Sequence, residues 1–207
     1  MKVMYILPYN WGGMPHYVAE IANSVSKYAE VTVVGSRSIH TDYFSDNVTI
    51  VKLFDDLNLS TNYIRDLLSF KLINIVKALF SFRKIRDIDE IQPDIIHIAT
   101  PLIPPLSCCI WIYGLDKKYP IVYTKHGIIS DASLLEKVFE EYILNFFEKL
   151  IDIKKIVVHT ENDRSILTEK LRIAESGVTV IPHGVYAFFR KNVRHEDLSD
   201  RTILFFG

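Results

Sequence analysis

A chain of 207 residues is long enough for one generous domain with a sizeable core. Its 24 Lys+Arg against 25 Asp+Glu leave a net charge of -1, which removes the electrostatic footprint of a general nucleic-acid binder and of an acidic disordered tail. A hydrophobic share of 49% with 24% charged residues excludes disorder, and two adjacent cysteines, Cys108 and Cys109, are too few for a disulfide scaffold or a four-ligand zinc site. A reducing cytoplasm is the compartment this composition suits.

In chain order, short β-rich runs alternate with longer helical patterns, and no fixed-period repeat occurs. The N-terminal run, Met1 to Pro8, is too short for a signal peptide and reads as a first strand over Lys2–Leu7. Further strands are expected at Glu30–Val34, Val48–Leu53, Asp94–Ala99, Pro120–Thr124, Lys155–His159 and Val178–Ile181. Runs such as Ile156-Val157-Val158 lack polar alternation, as strands covered on both faces do. Helices are expected near 15–28, 62–91, 104–117, 133–151 and 161–173. In the fourth, apolar pairs recur four apart from Leu134/Leu135 to Leu150/Ile151, and Ser133 with Glu136 suits a capping box. The 21 residues 95–115 carry no Lys, Arg, Asp or Glu, near the length of a membrane span. Pro101, Pro104, Pro105 and His97 interrupt them, so they read as a buried strand, a turn and a helix with prolines at its first positions.

Alternating strand and helix imply right-handed crossovers and an α/β, doubly wound parallel sheet. Residues 1–189 are expected to form one Rossmann-like domain and 190–201 a linker. Residues 202–207, Thr-Ile-Leu-Phe-Phe-Gly, read as the first strand of a second domain that the chain does not include.

In such a sheet, ligands bind outside the carboxyl ends of the strands, so each strand exit is a candidate site. The first exit carries Gly12-Gly13 before a helix, where the backbone can approach a ligand and helix N–H groups favour an anion; the alternative is a tight turn. It lacks the spacing of a dinucleotide fingerprint. The fifth exit, Thr124-Lys125-His126-Gly127, puts an imidazole beside a glycine. In the sixth, Thr160 and Asp163 are accounted for by helix capping, leaving Glu161 facing the cleft. The seventh joins His183 to Gly184. His97, inside a strand, reads as a satisfied core histidine. There is no zinc-protease, nucleophile-elbow or P-loop pattern.

Five segments in order resemble retaining glycosyltransferases of family 4. They are Gly12-Gly13 before Tyr17-Val18-Ala19-Glu20; Asp94-Ile95-Ile96-His97-Ile98 with Pro101-Leu102; Pro120 to Gly127; Val178 to Val185; and Ile203 to Gly207. The resemblance implies a GT-B enzyme of two Rossmann-like domains, with this half holding mainly the acceptor and inactive alone. It implies a nucleotide-sugar as donor substrate, a glycan or lipid-linked acceptor, and neither cofactor nor metal. By the same resemblance His126 is the catalytic contact to the donor sugar and Gly12 and Gly13 lie against phosphate; Thr124, Gly127, Glu161, His183 and Gly184, at the other strand exits, complete the expected donor- and acceptor-binding residues. Three positions depart from the family: Pro15 where Glu is usual, His183 for Asn, and Tyr186 for Asp. A non-catalytic module binding an anionic glycan or lipid headgroup, and a GT-B nucleotide-sugar epimerase, remain as alternatives.

The stretch near 62–91 is basic and amphipathic, which suits peripheral contact with an anionic membrane. Arg65, Lys71, Lys77, Arg83 and Lys84 are its membrane-facing candidates. The alternative is a helix packed on the sheet with a solvated basic face. Phe70, Phe80 and Phe82 cannot all face one core.

Overall fold

Apolar side chains on both faces of a strand require cover on both sides, and the computed structural model supplies it. It describes residues 1–8, 13–56, 72–126, 145–169 and 172–184. Among the described residues seven strands are found: β1 Lys2–Leu7, β2 Glu30–Ser36, β3 Val48–Phe54, β4 Ile95–Ile98, β5 Ile121–Thr124, β6 Ile153–Val158 and β7 Val178–Val180. Every pair is parallel, in the order β3-β2-β1-β4-β5-β6-β7. The expected α/β doubly wound, Rossmann-like sheet is therefore the fold, with all seven strands where the apolar runs lie.

The helices among the described residues are α1 Met14–Val25, α2 Leu72–Phe82, α3 Pro104–Ile112, α4 Leu115–Lys118, α5 Asn145–Lys149 and α6 Glu161–Glu169. Alternate residues of β1 enter separate cores, following the two-residue side-chain period. Met4 and Ile6 pack with Phe54, Phe82, Ile96 and Leu106, while Val3, Tyr5 and Leu7 pack with Tyr17, Val18 and Val33. Strand order reverses between β1 and β4, which opens a crevice at their carboxyl ends.

Three helices differ from expectation. The helix expected over 62–91 is α-helical only from Leu72 to Phe82 among the described residues, and Arg83–Glu90 is 3-10. Ile85 and Ile88, both fully buried, stand three residues apart, the spacing that a 3-10 turn eclipses. The segment expected at 104–117 starts on Pro104 and Pro105 as foreseen, then breaks at Gly114. There φ is +63, a left-handed conformation that favours glycine. Helix α6 runs over Glu161–Glu169 among the described residues; Arg172 has φ +54, and the Ile173 N–H reaches back to the Leu167 carbonyl at 3.2 Å, a closure without glycine. The capping box at Ser133 and the segments 190–201 and 202–207 lie outside the described residues. Residues 95–115 form strand, turn and helices, and among the described residues no helix is long and apolar enough to cross a membrane.

Candidate functional site

Parallel strands deliver their carboxyl ends to one edge of the sheet, and histidines gather there. His126, two residues past β5, donates from Nε2 to the Ala99 carbonyl at the end of β4, 3.0 Å away. His159, the residue after β6, places Nε2 3.3 Å from His126 Nδ1 and Nδ1 2.9 Å from the Ile181 carbonyl. His183, beyond β7, lies with its ring centroid 5.0 Å from that of His159.

Tyr17, on the second turn of α1, closes the group from the other side. Its ring centroid is 4.5 Å from His126 in a T-shaped contact, 5.1 Å from His183 and 5.5 Å from His159. Gly13 starts this helix, and its carbonyl accepts the Tyr17 N–H at 3.0 Å. The group thus straddles the crevice where strand order reverses.

Beneath it lies a polar layer in which Thr124 is fully buried and His97 half-buried. His97 Nε2 and Thr124 Oγ1 are 2.8 Å apart, and the His97 ring stacks at a tilt on Tyr5, 5.0 Å between centroids. His97 is thus a satisfied core histidine, as its place in β4 suggested. Burial, with His126 nearby, pulls its pKa to about 4. Burial likewise lowers His126 to about 4; the Ala99 contact opposes the shift, and His159 and His183 add to it. Tyr5 is held well above the ordinary phenol range by burial and by Tyr17. Thr100, next after Ala99, buries a hydroxyl that has no hydrogen-bond partner among the described residues, a polar atom left open near the crevice.

Lys125, between Thr124 and His126, turns into the protein. Its Nζ donates to both oxygens of Glu148 on α5, at 2.9 and 2.8 Å, and the Tyr123 hydroxyl donates to the same carboxylate at 3.3 Å. The pair is nearly dry, with side chains 7% and 14% exposed. It anchors α5 to the segment that carries His126.

The other expected site residues are placed as follows. Thr124 is fully buried with its hydroxyl on His97. Glu161 is exposed in the first turn of α6, 3.5 Å from Arg164, where its charge favours the helix N-terminus. The Thr160 hydroxyl caps that helix by accepting the Asp163 N–H at 3.1 Å and donates to the Asp163 carboxylate at 2.8 Å. His183 and Gly184 are exposed, and His183 Nδ1 contacts the Gly184 carbonyl at 3.0 Å. Gly12 and Gly127 lie outside the described residues. Tyr17, His159 and Lys125 were not singled out in the sequence. His159 had a usable signal, since it ends the apolar run of β6 at the sheet edge that carries the other candidates.

Of the basic candidates, Arg65 and Lys71 lie outside the described residues, and Lys77 and Arg83 are exposed. Lys84 is half-buried, and its Nζ donates to Asp55, just past β3, at 2.7 Å. Phe82 is fully buried, in a T-shaped contact with Phe54, whereas Phe80 is 61% exposed with the Arg83 guanidinium 5.7 Å above its ring. Trp111 and Ile112, on the neighbouring α3, are 54% and 63% exposed.

Among the described residues no three His, Cys, Asp or Glu are grouped to hold a metal. Cys108 and Cys109 are both free thiols, and burial raises Cys109 to about 11.

The profile of Glycosyltransferase Family 4 matches residues 11–187. Comparison with curated proteins returned no match. Solved structures that share the fold include UDP-GlcNAc 2-epimerase from Neisseria meningitidis bound to UDP-GlcNAc, with a TM-score of 0.56 at 11% identity over 88% of this chain and 47% of that one. The Methanocaldococcus jannaschii UDP-GlcNAc 2-epimerase gives 0.55 at 13% identity, covering 87% and 45%. Anabaena HepE in complex with UDP and glucose gives 0.53 at 13% identity, covering 89% and 45%. The chain therefore spans just under half the length of these structures.

Proposed function

The chain belongs to glycosyltransferase family 4, and from that premise we propose that it is the acceptor-side half of a retaining enzyme. That enzyme would move a sugar from a nucleotide-sugar to a glycan or lipid-linked acceptor. The observation that carries this reading is the convergence of His126, His159, His183 and Tyr17 over the crevice between β1 and β4. The presence of UDP in the HepE structure, which shares the fold, is consistent with a nucleotide-sugar donor. In this reading His126 contacts the donor sugar, and Gly12 and Gly13 lie against phosphate at the start of α1. Gly127, Glu161, His183 and Gly184 line the cleft, with Thr124 supporting it from below. Retention through an oxocarbenium-like transition state needs charge stabilisation on the departing diphosphate, which the proposal assigns to a second domain. The 207-residue chain alone then turns nothing over.

The same reading places the enzyme at a membrane surface on the cytoplasmic side. Phe80, Trp111 and Ile112 form an exposed apolar face on α2 and α3, flanked by Lys77 and Arg83. That combination suits an anionic bilayer.

The test is to incubate the chain, and any longer product of its gene, with a panel of nucleotide-sugars and lipid extract, with His126→Ala as control. Extract-dependent nucleotide release by the longer product that falls about 100-fold in the variant is the expected result. Epimerised nucleotide-sugar without transfer would select the epimerase reading instead. No turnover with any donor, from folded protein, would select a binding module.

A further inference from the structure

The two carbonyls that flank the His126–His159 contact determine its proton inventory. A carbonyl oxygen only accepts, so the bond to Ala99 assigns the proton of neutral His126 to Nε2 and leaves Nδ1 bare. The bond to Ile181 assigns the proton of neutral His159 to Nδ1 and leaves Nε2 bare. These two bare nitrogens face each other at 3.3 Å. With both rings neutral, lone pair meets lone pair and no hydrogen bond forms. One added proton turns the contact into N–H···N with every ring nitrogen satisfied. A second proton would put two imidazolium ions in contact.

We propose that His126 and His159 form a single proton-binding unit that takes up one shared proton, with the Ala99 and Ile181 carbonyls holding the two tautomers and His159 supplying the acceptor that shares the added proton. The proton adds to a bare ring nitrogen and no bond breaks, so the unit gains one positive charge at the exits of β5 and β6. Burial opposes that charge, and the recovered hydrogen bond favours it. The titratable groups around the unit are Tyr17 from α1, His97 from β4 with Tyr5 behind it on β1, and His183 after β7. Among the described residues no carboxylate, ammonium or guanidinium is bonded to either ring, so the shared proton has no counter-ion there. An anionic ligand entering the cleft would supply one and would draw the proton in on binding. That last consequence rests on the proposed function; the proton inventory does not.

The experiment is long-range 1H–15N spectroscopy of the full chain labelled at histidine, titrated from about pH 8 to about pH 4. Expected at high pH are an Nε2–H tautomer for His126 and an Nδ1–H tautomer for His159. On acidification both rings should move at one common midpoint, with one proton gained by the two together. In His159→Gln the side-chain amide can donate to His126 Nδ1, so the tautomer persists and proton uptake at His126 needs a proton concentration about tenfold or more higher. In His159→Phe the Ala99 carbonyl still holds the Nε2–H tautomer of His126, and proton uptake there again moves to lower pH. Separate midpoints with a full proton on each ring in the wild type would overturn the proposal. So would an unmoved His126 titration in a His159→Gln protein whose backbone spectrum is intact. Should that variant not fold, the wild-type titration decides alone. A sugar-transfer assay that fails while these spectra behave as expected would count against the proposed function and leave the shared proton standing.

Discussion

Replacing Lys125 by methionine tests how the segment under the candidate site is held. The ammonium stands 2.9 and 2.8 Å from the two Glu148 oxygens, with both side chains nearly sealed from water. At an effective dielectric near 20, charges about 4 Å apart attract by about 4 kcal/mol, and desolvation of the two ions cancels most of that. The intact pair is therefore close to neutral for stability, but a broken one is not. Methionine fills the volume of the lysine stem and leaves the Glu148 carboxylate buried, with the Tyr123 hydroxyl at 3.3 Å as its remaining partner among the described residues. The expected cost is about 3–5 kcal/mol, a fall in Tm of about 10 °C for a chain of this size. Replacing both partners, Lys125→Met with Glu148→Leu, removes the stranded charge and should recover about 2–3 kcal/mol of that loss. The assay is urea unfolding of the four proteins in the cycle, with the m-value checked for constancy. A single-variant cost below about 1 kcal/mol, or additive singles, would show that water reaches the pair and would refute the reasoning.

Acid should destabilise the fold through His97, whose pKa is about 4 folded against 6.5 for the unfolded chain. The unfolded state binds that proton first, so the contribution is complete above about pH 6.5 and declines by about 3 kcal/mol as pH falls towards 4. His97→Gln should flatten that limb in urea midpoints taken across pH; an unchanged slope would count against it. Phe82→Ala should cost about 3–5 kcal/mol because the ring is fully buried against Phe54, whereas Phe80→Ser should cost under about 0.5 kcal/mol. Vesicle sedimentation should rank the same two variants the other way, with Phe80→Ser losing binding to anionic liposomes. Gly114→Ala should cost about 1 kcal/mol by thermal unfolding, all of it conformational, since φ is +63 and nothing lies within 4 Å of the added carbon.

Local pattern was enough to determine the strands and their class. Val178-Thr179-Val180 and Ile156-Val157-Val158 read as doubly covered strands, and Pro104-Pro105 as a helix start, because side-chain period and proline geometry are properties of neighbouring residues. The Thr160–Asp163 cap was legible for the same reason. Helix ends were less so. The break at Gly114 and the change to 3-10 at Arg83 depend on which side chains find a core, and Ile85 and Ile88 are drawn into one assembled from β1, β3 and α3. The strand exits pointed to His126 and His183, but no spacing in the chain announces that His159 stands 3.3 Å from a ring 33 residues away. Lys125 beside His126 was not singled out in the sequence, and its inward turn depends on Glu148 arriving on α5. Alternation, capping and proline placement were set by the sequence within a few residues. The imidazole group and the buried ion pair were decided by parallel crossovers, which bring carboxyl ends from distant parts of the chain to one edge of the sheet.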